Sequence, residues 1–237
     1  MKVTVLAPAY NEEESIERFV SAVADRLEDG WEIVVVDDGS SDTTPERLSE
    51  LSARYPALRV ITHAHNRGIG AALATGFVAI GDGVIVTMDA DLSHPLDLLG
   101  ALVEGCASAD ACFGSRFVPG GGMVGVPLWR RAVSKVANVI LRTLYGSTVR
   151  DLTTGYRAYR AGVVHDLDLI GSGFETQLEI TIRLLAAGRT IHEVPLMLKN
   201  RVGGESKMRY VRLIPAYASM TFRLFGLRWL RKRGGAT

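Results

Sequence analysis

Val84-Ile85-Val86-Thr87-Met88-Asp89-Ala90-Asp91 is an apolar, β-branched run that ends in two carboxylates one residue apart. A short run of this composition reads as a buried strand, and alternate side chains of a strand point to one side. Asp89 and Asp91 therefore lean toward a common point where the strand gives way to a loop. Hard carboxylate oxygens in that arrangement suit Mg²⁺ or Mn²⁺, which keep open positions for substrate phosphates when only one or two carboxylates bind them. An Asp-x-Asp pair after a strand also occurs as plain loop solvation, so its meaning depends on its surroundings.

Working outward, Val3 to Ala7, Trp31 to Val36, Leu58 to Thr62 and Ala111 to Gly114 read as further strands. Helical patterns separate them. Asn11 is the expected cap of the first helix, with Glu14 in capping-box position and Ile16, Phe19, Val20, Val23 and Leu27 as its apolar stripe. Thr44-Pro45 opens the second, Gly70 to Ala79 forms another, and one more follows Pro95. Strands alternating with helices predict a doubly wound α/β fold, a mostly parallel sheet covered by helices. Such sheets bind ligands at the carboxyl ends of their strands. Polar clusters fall there four times: Pro8 to Glu12, Asp37 to Ser40, Asp89 to Asp91, and Gly114 to Arg116. Together they define a crevice in which Asp38, Tyr10 and a metal at Asp89 and Asp91 can meet a nucleotide's ribose or base donors, base surface and phosphates.

The chain has 237 residues, 47% of them hydrophobic and 22% charged, enough for a sizeable core in one or two domains. A net charge of +1 argues against general nucleic-acid binding. Cys106 and Cys112 have no metal spacing and read as small core residues in a reducing compartment. The strand-like start after Lys2 lacks a secretory pattern, so a cytoplasmic protein is expected. The apolar segment 211–230 is interrupted by Arg212, Pro215, Arg223 and Arg228, and the stretch RLFGLRWLRKR (223–233) carries no acid. It is expected to lie on a membrane rather than cross it, with Trp229 and arginines at the boundary. The expected division is thus a nucleotide-binding domain over 1–207 and a basic amphipathic segment over 208–237, with Pro127 to Tyr145 joining the same surface.

PAYNE (8–12), VVDDGS (35–40), MDADLSHP (88–95), GSRF (114–117), DLTTGYR (151–157), FETQLE (174–179) and NRVGGESK (200–207) occur in this order. Their order and spacing resemble the family-2 glycosyltransferases of GT-A fold, and within them the dolichyl-phosphate (polyprenyl-phosphate) mannose synthases. The resemblance covers roughly residues 1 to 210. It implies inverting transfer of mannose from GDP-mannose to a polyprenyl phosphate, with Mg²⁺ or Mn²⁺ as cofactor and a membrane surface as partner. It further implies that Pro8, Tyr10, Glu12 and Asp38 hold the nucleoside, that Asp89, Ala90, Asp91 and Arg116 meet the donor, and that Asp89, Asp91 and Ser93 hold the metal. Arg201 and Lys207 would neutralise the diphosphate, and Arg116, Arg130, Arg131 and Ser134 would clamp the acceptor phosphate. Asp91 and Arg116 would carry the catalysis. Some relatives have glutamine at Ser93, and the Gln-x-x-Arg-Trp motif of polysaccharide synthases is absent.

Other readings stay open at this level. A polyprenyl-phosphate glucosyltransferase, or another family-2 enzyme using a UDP-sugar, fits the same residues. Gly68-Ile69-Gly70 suggests a dinucleotide-binding dehydrogenase, but Leu73 stands at the third glycine position and the glycines do not follow the first strand. Asp151 and Arg157 form either a buried ion pair or direct substrate contacts. Glu179 reads as a helix anchor and His94 as packing beside Pro95.

Overall fold

The computed structural model describes residues 1–199 and 210–226. Nine strands and seven α-helices appear among them, in the order β1(Val3–Ala9), α1(Ile16–Ala24), β2(Trp31–Asp37), α2(Thr44–Arg54), β3(Leu58–Thr62), α3(Ile69–Ala79), β4(Val84–Thr87), α4(Leu99–Gly105), β5(Ala111–Ser115), β6(Gly122–Val124), α5(Leu128–Tyr145), β7(Arg157–Arg160), α6(Thr176–Ala186), β8(Ile191–Pro195), β9(Met197–Lys199) and α7(Tyr210–Leu224). A seven-stranded sheet has the order β3-β2-β1-β4-β7-β5-β8, and β6 pairs with β9 beside it.

The strands read from sequence all appear, because continuous apolar runs are what a sheet covered on both faces requires. Val3, Val5 and Ala7 of β1 and Ile33 and Val35 of β2 pack with Ile16 and Phe19 of α1, Leu48 of α2 and Leu102 of α4. Leu6, Val34 and Val36 face the other way, with Leu73 and Phe77 of α3 and Ile180 and Leu184 of α6. A third cluster joins Leu141 and Tyr145 of α5, Leu178 and Ile182 of α6, and Met220 and Leu224 of α7.

One expected local feature is not formed. Asn11 does not cap α1: it has a φ of 52° and its Oδ1 accepts the Ser41 N–H at 2.8 Å. The helix starts later, after Ser15, because the residue 40–44 turn competes for the PAYNE backbone; Ser40 Oγ accepts the Asn11 N–H and Thr44 Oγ1 that of Glu12.

β7 runs antiparallel to both neighbours, β4 and β5. Six strands thus point one way, and the one reversed strand begins at the rim where the others end. The loop that precedes it, Asp151 to Tyr156, is carried to that rim.

Gly68 and Gly70 serve packing and turning. Gly68 has a φ of 90°, and a Cβ on either glycine would overlap the backbone carbonyl oxygen of Ser172 or Gly171 respectively. Gly70→Ala is expected to destabilise the protein by about 1–3 kcal/mol, read from the midpoint of chemical denaturation; an unchanged midpoint would mean the 171–172 loop gives way freely.

Candidate active site

Because β1, β2 and β4 are parallel, with Ala9 opposite Asp37 and Leu6 opposite Thr87, their carboxyl ends share one edge. β5 points the same way across β7, so Ser115 and Arg116 join that edge. The polar clusters therefore share one rim of the sheet; Asp89 and Arg116 line the cavity that opens there, whereas residues 8–12 and 37–40 do not.

At the end of β4 the chain turns sharply through Leu92, which has a φ of 57°. The Ser93 N–H donates to Asp91 Oδ1 at 2.9 Å, closing the turn. Asp91 and Ser93 are nearly buried, at 8% and 9% exposure, and Ala90 is buried, whereas the Asp89 side chain is one-third exposed. His94 does more than pack beside Pro95. Its ring stacks on Tyr156 at 4.7 Å, and Nδ1 accepts the Asp89 N–H at 3.2 Å, which leaves the proton of the neutral ring on Nε2, 3.9 Å from Asp89 Oδ2. Burial pushes the His94 pKa down, against the pull of Asp89 and Asp91.

Two carboxylates and a hydroxyl on one turn form an oxygen donor set of the kind Mg²⁺ and Mn²⁺ prefer. Among the described residues no group of three or more His, Cys, Asp or Glu side chains forms a cage. The accessible Asp89 fits a cation that is shared with substrate phosphates.

Arg116 is held by Asp151 rather than standing free. Nε and Nη2 donate to the two carboxylate oxygens at 2.7 Å each, the Arg116 N–H donates at 3.1 Å, and Nη2 also reaches Thr153 Oγ1. Full burial raises the Asp151 pKa, but the guanidinium and backbone donors outweigh it and leave the carboxyl below its ordinary value. Of the two readings left open for Asp151 and Arg157, an ion pair with each other is not formed: Arg157 is fully buried and donates to the carbonyls of Leu152 and Gln177 at 2.8 Å, with Phe113 under its guanidinium. Backbone N–H groups of Arg150 and Asp151 donate to Glu193 on β8. Glu179 is an anchor, as expected, accepting from the Ile170 and Gly171 N–H groups and from Arg183.

A cavity of about 1010 Å³ opens from this rim. Its polar end is lined by Asp89, Ser93, His94, Arg116 and Gln177, and its walls by Val133, Ile140 and Leu144 of α5 and by Ile214, Ala218 and Phe222 of α7. Arg130 and Ser134 line it too, but Arg131 does not and is exposed. Residues four apart share a helix face while adjacent ones diverge, so Arg131 is displaced from the expected clamp. Asn138 went unrecognised in the sequence, yet it ties α5 to the 151–154 loop: Oδ1 accepts the Leu152 N–H and Nδ2 donates to Thr153 Oγ1. A polar residue amid an apolar helical pattern was the only hint.

On the far side of the rim, Pro8 is half-buried and Tyr10 is 38% exposed. Glu12 Oε2 accepts from Ser15 Oγ at 2.8 Å. Asp38 is only 2% exposed, and its oxygens meet His63 Nδ1 at 2.6 Å and the N–H groups of Arg67 and Gly68 at 3.0 and 2.7 Å. It shapes the 66–68 loop from beneath. Arg201 and Lys207 lie outside the described residues; the chain approaches them from Lys199, whose N–H donates to the Ser93 carbonyl at 3.3 Å.

Residues 4–168 match the family described as Glycosyl transferase family 2. An undecaprenyl-phosphate mannosyltransferase of Micrococcus luteus is 37% identical over 99% of this chain and 100% of its own length. A dolichol-phosphate mannosyltransferase of Pyrococcus furiosus is 37% identical over 88% of this chain, which spans 60% of that relative. A polyprenol monophosphomannose synthase of Mycolicibacterium smegmatis is 39% identical over 87% of this chain and 81% of its own length. In three dimensions, glucosyl-3-phosphoglycerate synthase of Mycobacterium tuberculosis, crystallised with Mn²⁺, UDP and glucosyl-3-phosphoglycerate, superposes with a TM-score of 0.73 at 20% identity, covering 95% of this chain and 80% of that one. The rim of carboxylates on a mostly parallel sheet, the family match and full-length kinship with the Micrococcus protein agree: the chain belongs to glycosyltransferase family 2.

Proposed function

We propose that this chain transfers mannose from GDP-mannose to a polyprenyl phosphate, inverting the anomeric configuration and releasing GDP. The observation that carries this reading is the cavity, which runs without interruption from the Asp89 and Arg116 rim to the apolar walls of α5 and α7. An acceptor with a phosphate head and a hydrocarbon tail matches both ends. The names of the relatives, all polyprenol-type mannose transferases, support the same choice.

A phosphate monoester is already mostly dianionic near neutral pH, with a second pKa near ~6, so the nucleophile needs no general base. Its oxygen attacks the anomeric carbon as the carbon–oxygen bond to the diphosphate breaks, and that electron pair leaves with GDP. Arg116, Arg130 and Ser134 would hold the acceptor phosphate in line through charge-assisted hydrogen bonds. Asp89 and Asp91, with Ser93, would hold Mg²⁺ or Mn²⁺, which when bound stabilises charge on the departing diphosphate. Pro8, Tyr10 and Glu12 would meet the nucleoside, with Asp38 shaping the loop below it. In this reading Arg201 and Lys207 neutralise the diphosphate.

The reaction would take place at a membrane surface, peripherally and on the cytosolic face, with residues 208–237 as the associating segment. No helix among the described residues is long and apolar enough to cross a membrane. On α5, Leu128, Trp129, Val136 and Ile140 are each more than half exposed, beside the exposed Arg131 and Lys135. Phe222 of α7 is 85% exposed. Apolar side chains flanked by cations suit the boundary between acyl chains and anionic headgroups.

Offering purified protein GDP-mannose, UDP-glucose and other nucleotide sugars, with polyprenyl phosphate and Mg²⁺ or Mn²⁺, should yield a lipid whose mass is that of polyprenyl-phosphate hexose from GDP-mannose alone; product from UDP-glucose alone would overturn the donor assignment. Asp91→Ala is expected to cut transfer by at least about 10²-fold while the protein still folds, with a lower melting temperature from loss of the Ser93 N–H bond, and full activity would remove its metal role. Asp151→Asn should destabilise the protein by about 3 kcal/mol at neutral pH by leaving Arg116 without its carboxylate. Because the folded Asp151 pKa lies below its ordinary value of 3.8, the difference from the parent should persist above that pH and shrink as pH falls through the folded value. Urea titrations across acid pH test this. Leu128→Glu with Val136→Glu should weaken flotation with anionic liposomes; unchanged flotation would take α5 away from the membrane.

A further inference from the structure

We infer that Gln177 holds a hydroxyl of the transferred sugar and so contributes to donor selection. The inference rests on the proposed transfer and adds a residue that reads the sugar itself.

Gln177 is 4% exposed, lines the cavity, and among the described residues its Oε1 has no hydrogen-bond partner. Its backbone cannot drift to find one. The Gln177 carbonyl accepts from Arg157 Nη1 at 2.8 Å and Thr181 Oγ1 at 2.9 Å, and its N–H donates to the Phe174 carbonyl at 3.2 Å. A buried carboxamide oxygen without a donor is a standing cost to the protein, and a half-turn of the amide about its soft terminal torsion exchanges it with Nε2, the atom that faces the cavity, where a ligand donor removes the cost.

Its position indicates which ligand. Gly155 has no side chain, and the point that a Cβ would occupy there lies 3.6 Å from Asp89 Oδ1, 3.7 Å from Gln177 Nε2 and 3.9 Å from His94 Cε1. Carboxylate and carboxamide thus converge above a bare glycine. In the proposed reaction the sugar lies between the diphosphate at Asp89 and the acceptor phosphate at Arg116, which is where this space opens. A neutral carboxamide both accepts and donates, matching the hydroxyls of a pyranose. It offers no charge to a phosphate and no advantage to a hydrocarbon tail. Sites built to bond a substrate hydroxyl discriminate strongly against analogues lacking it.

Gln177→Met keeps the length of the side chain and removes the carboxamide. It should lower kcat/KM for GDP-mannose roughly tenfold to hundredfold, leave Mn²⁺ affinity in the presence of GDP unchanged by electron paramagnetic resonance, and leave the melting temperature at or above that of the parent. Among GDP-deoxymannose donors, the one lacking the bonded hydroxyl should reduce the parent to the level of Gln177→Met and reduce that variant no further, while Gln177→Glu, which retains an acceptor oxygen, should recover part of the loss. Gly155→Ala meets only ordinary contacts in the folded protein, so it should fold and still lose transfer by filling the space. Equal turnover of Gln177→Met and the parent on every donor, a tenfold loss of Mn²⁺ affinity, or full activity of Gly155→Ala would each overturn the inference. If the parent protein itself transfers no sugar to polyprenyl phosphate, the underlying reading fails instead.

Discussion

The fully buried guanidinium of Arg157 joins the two sides of the site. It enters the protein on the first residue of the reversed strand, between Thr87 of β4 and Phe113 of β5. Carbonyl oxygens of Leu152 and Gln177 receive its protons, and the Phe113 ring lies 4.1 Å from its centre. No carboxylate pairs with it among the described ion pairs, so dipoles and an aromatic face must balance the charge. The loop carrying Asp151 and the helix carrying Gln177 are consequently fixed to one another. Asp151 then fixes Arg116, and Asn138 brings α5 to the same loop.

Much of this architecture was legible in the residues. Val3 to Ala9, Trp31 to Asp37 and Val84 to Thr87 declare themselves because strands covered on both faces need unbroken apolar runs. The carboxylates after them fall at the rim for the same topological reason. β7 did not declare itself: Arg157-Ala-Tyr-Arg160 carries charge at both ends, its two central residues join the core on opposite faces, and Arg157 is buried with its protons on carbonyl oxygens. Long-range pairs were equally hidden. Asp151 lies six residues from Arg157 and 35 from Arg116, and nothing in the sequence pointed to the distant arginine as its partner. The family resemblance grouped Arg131 with Arg130 and Ser134, whereas helical geometry separates the two arginines and keeps Ser134 with Arg130.

The two ends of the cavity use different means of organisation. At the polar end, order comes from a tight turn, with Ser93 bonded to Asp91 and His94 to the Asp89 backbone. At the other end it comes from helix packing, with Tyr145 donating to the Thr221 carbonyl and Tyr217 to that of Phe174, binding α7 to α5 and α6. The polar end is therefore held by local backbone geometry, and the apolar end by interlocked helices.

The Arg116–Asp151 pair has a further consequence for what the rim attracts. A lone arginine in a crevice draws in any small anion, whereas one already neutralised by a buried carboxylate presents an oriented dipole with little long-range pull. If Arg116 holds the acceptor phosphate as proposed, an anion gains most from it when another part of the same molecule anchors it, so selection falls on molecules that engage both ends of the cavity at once.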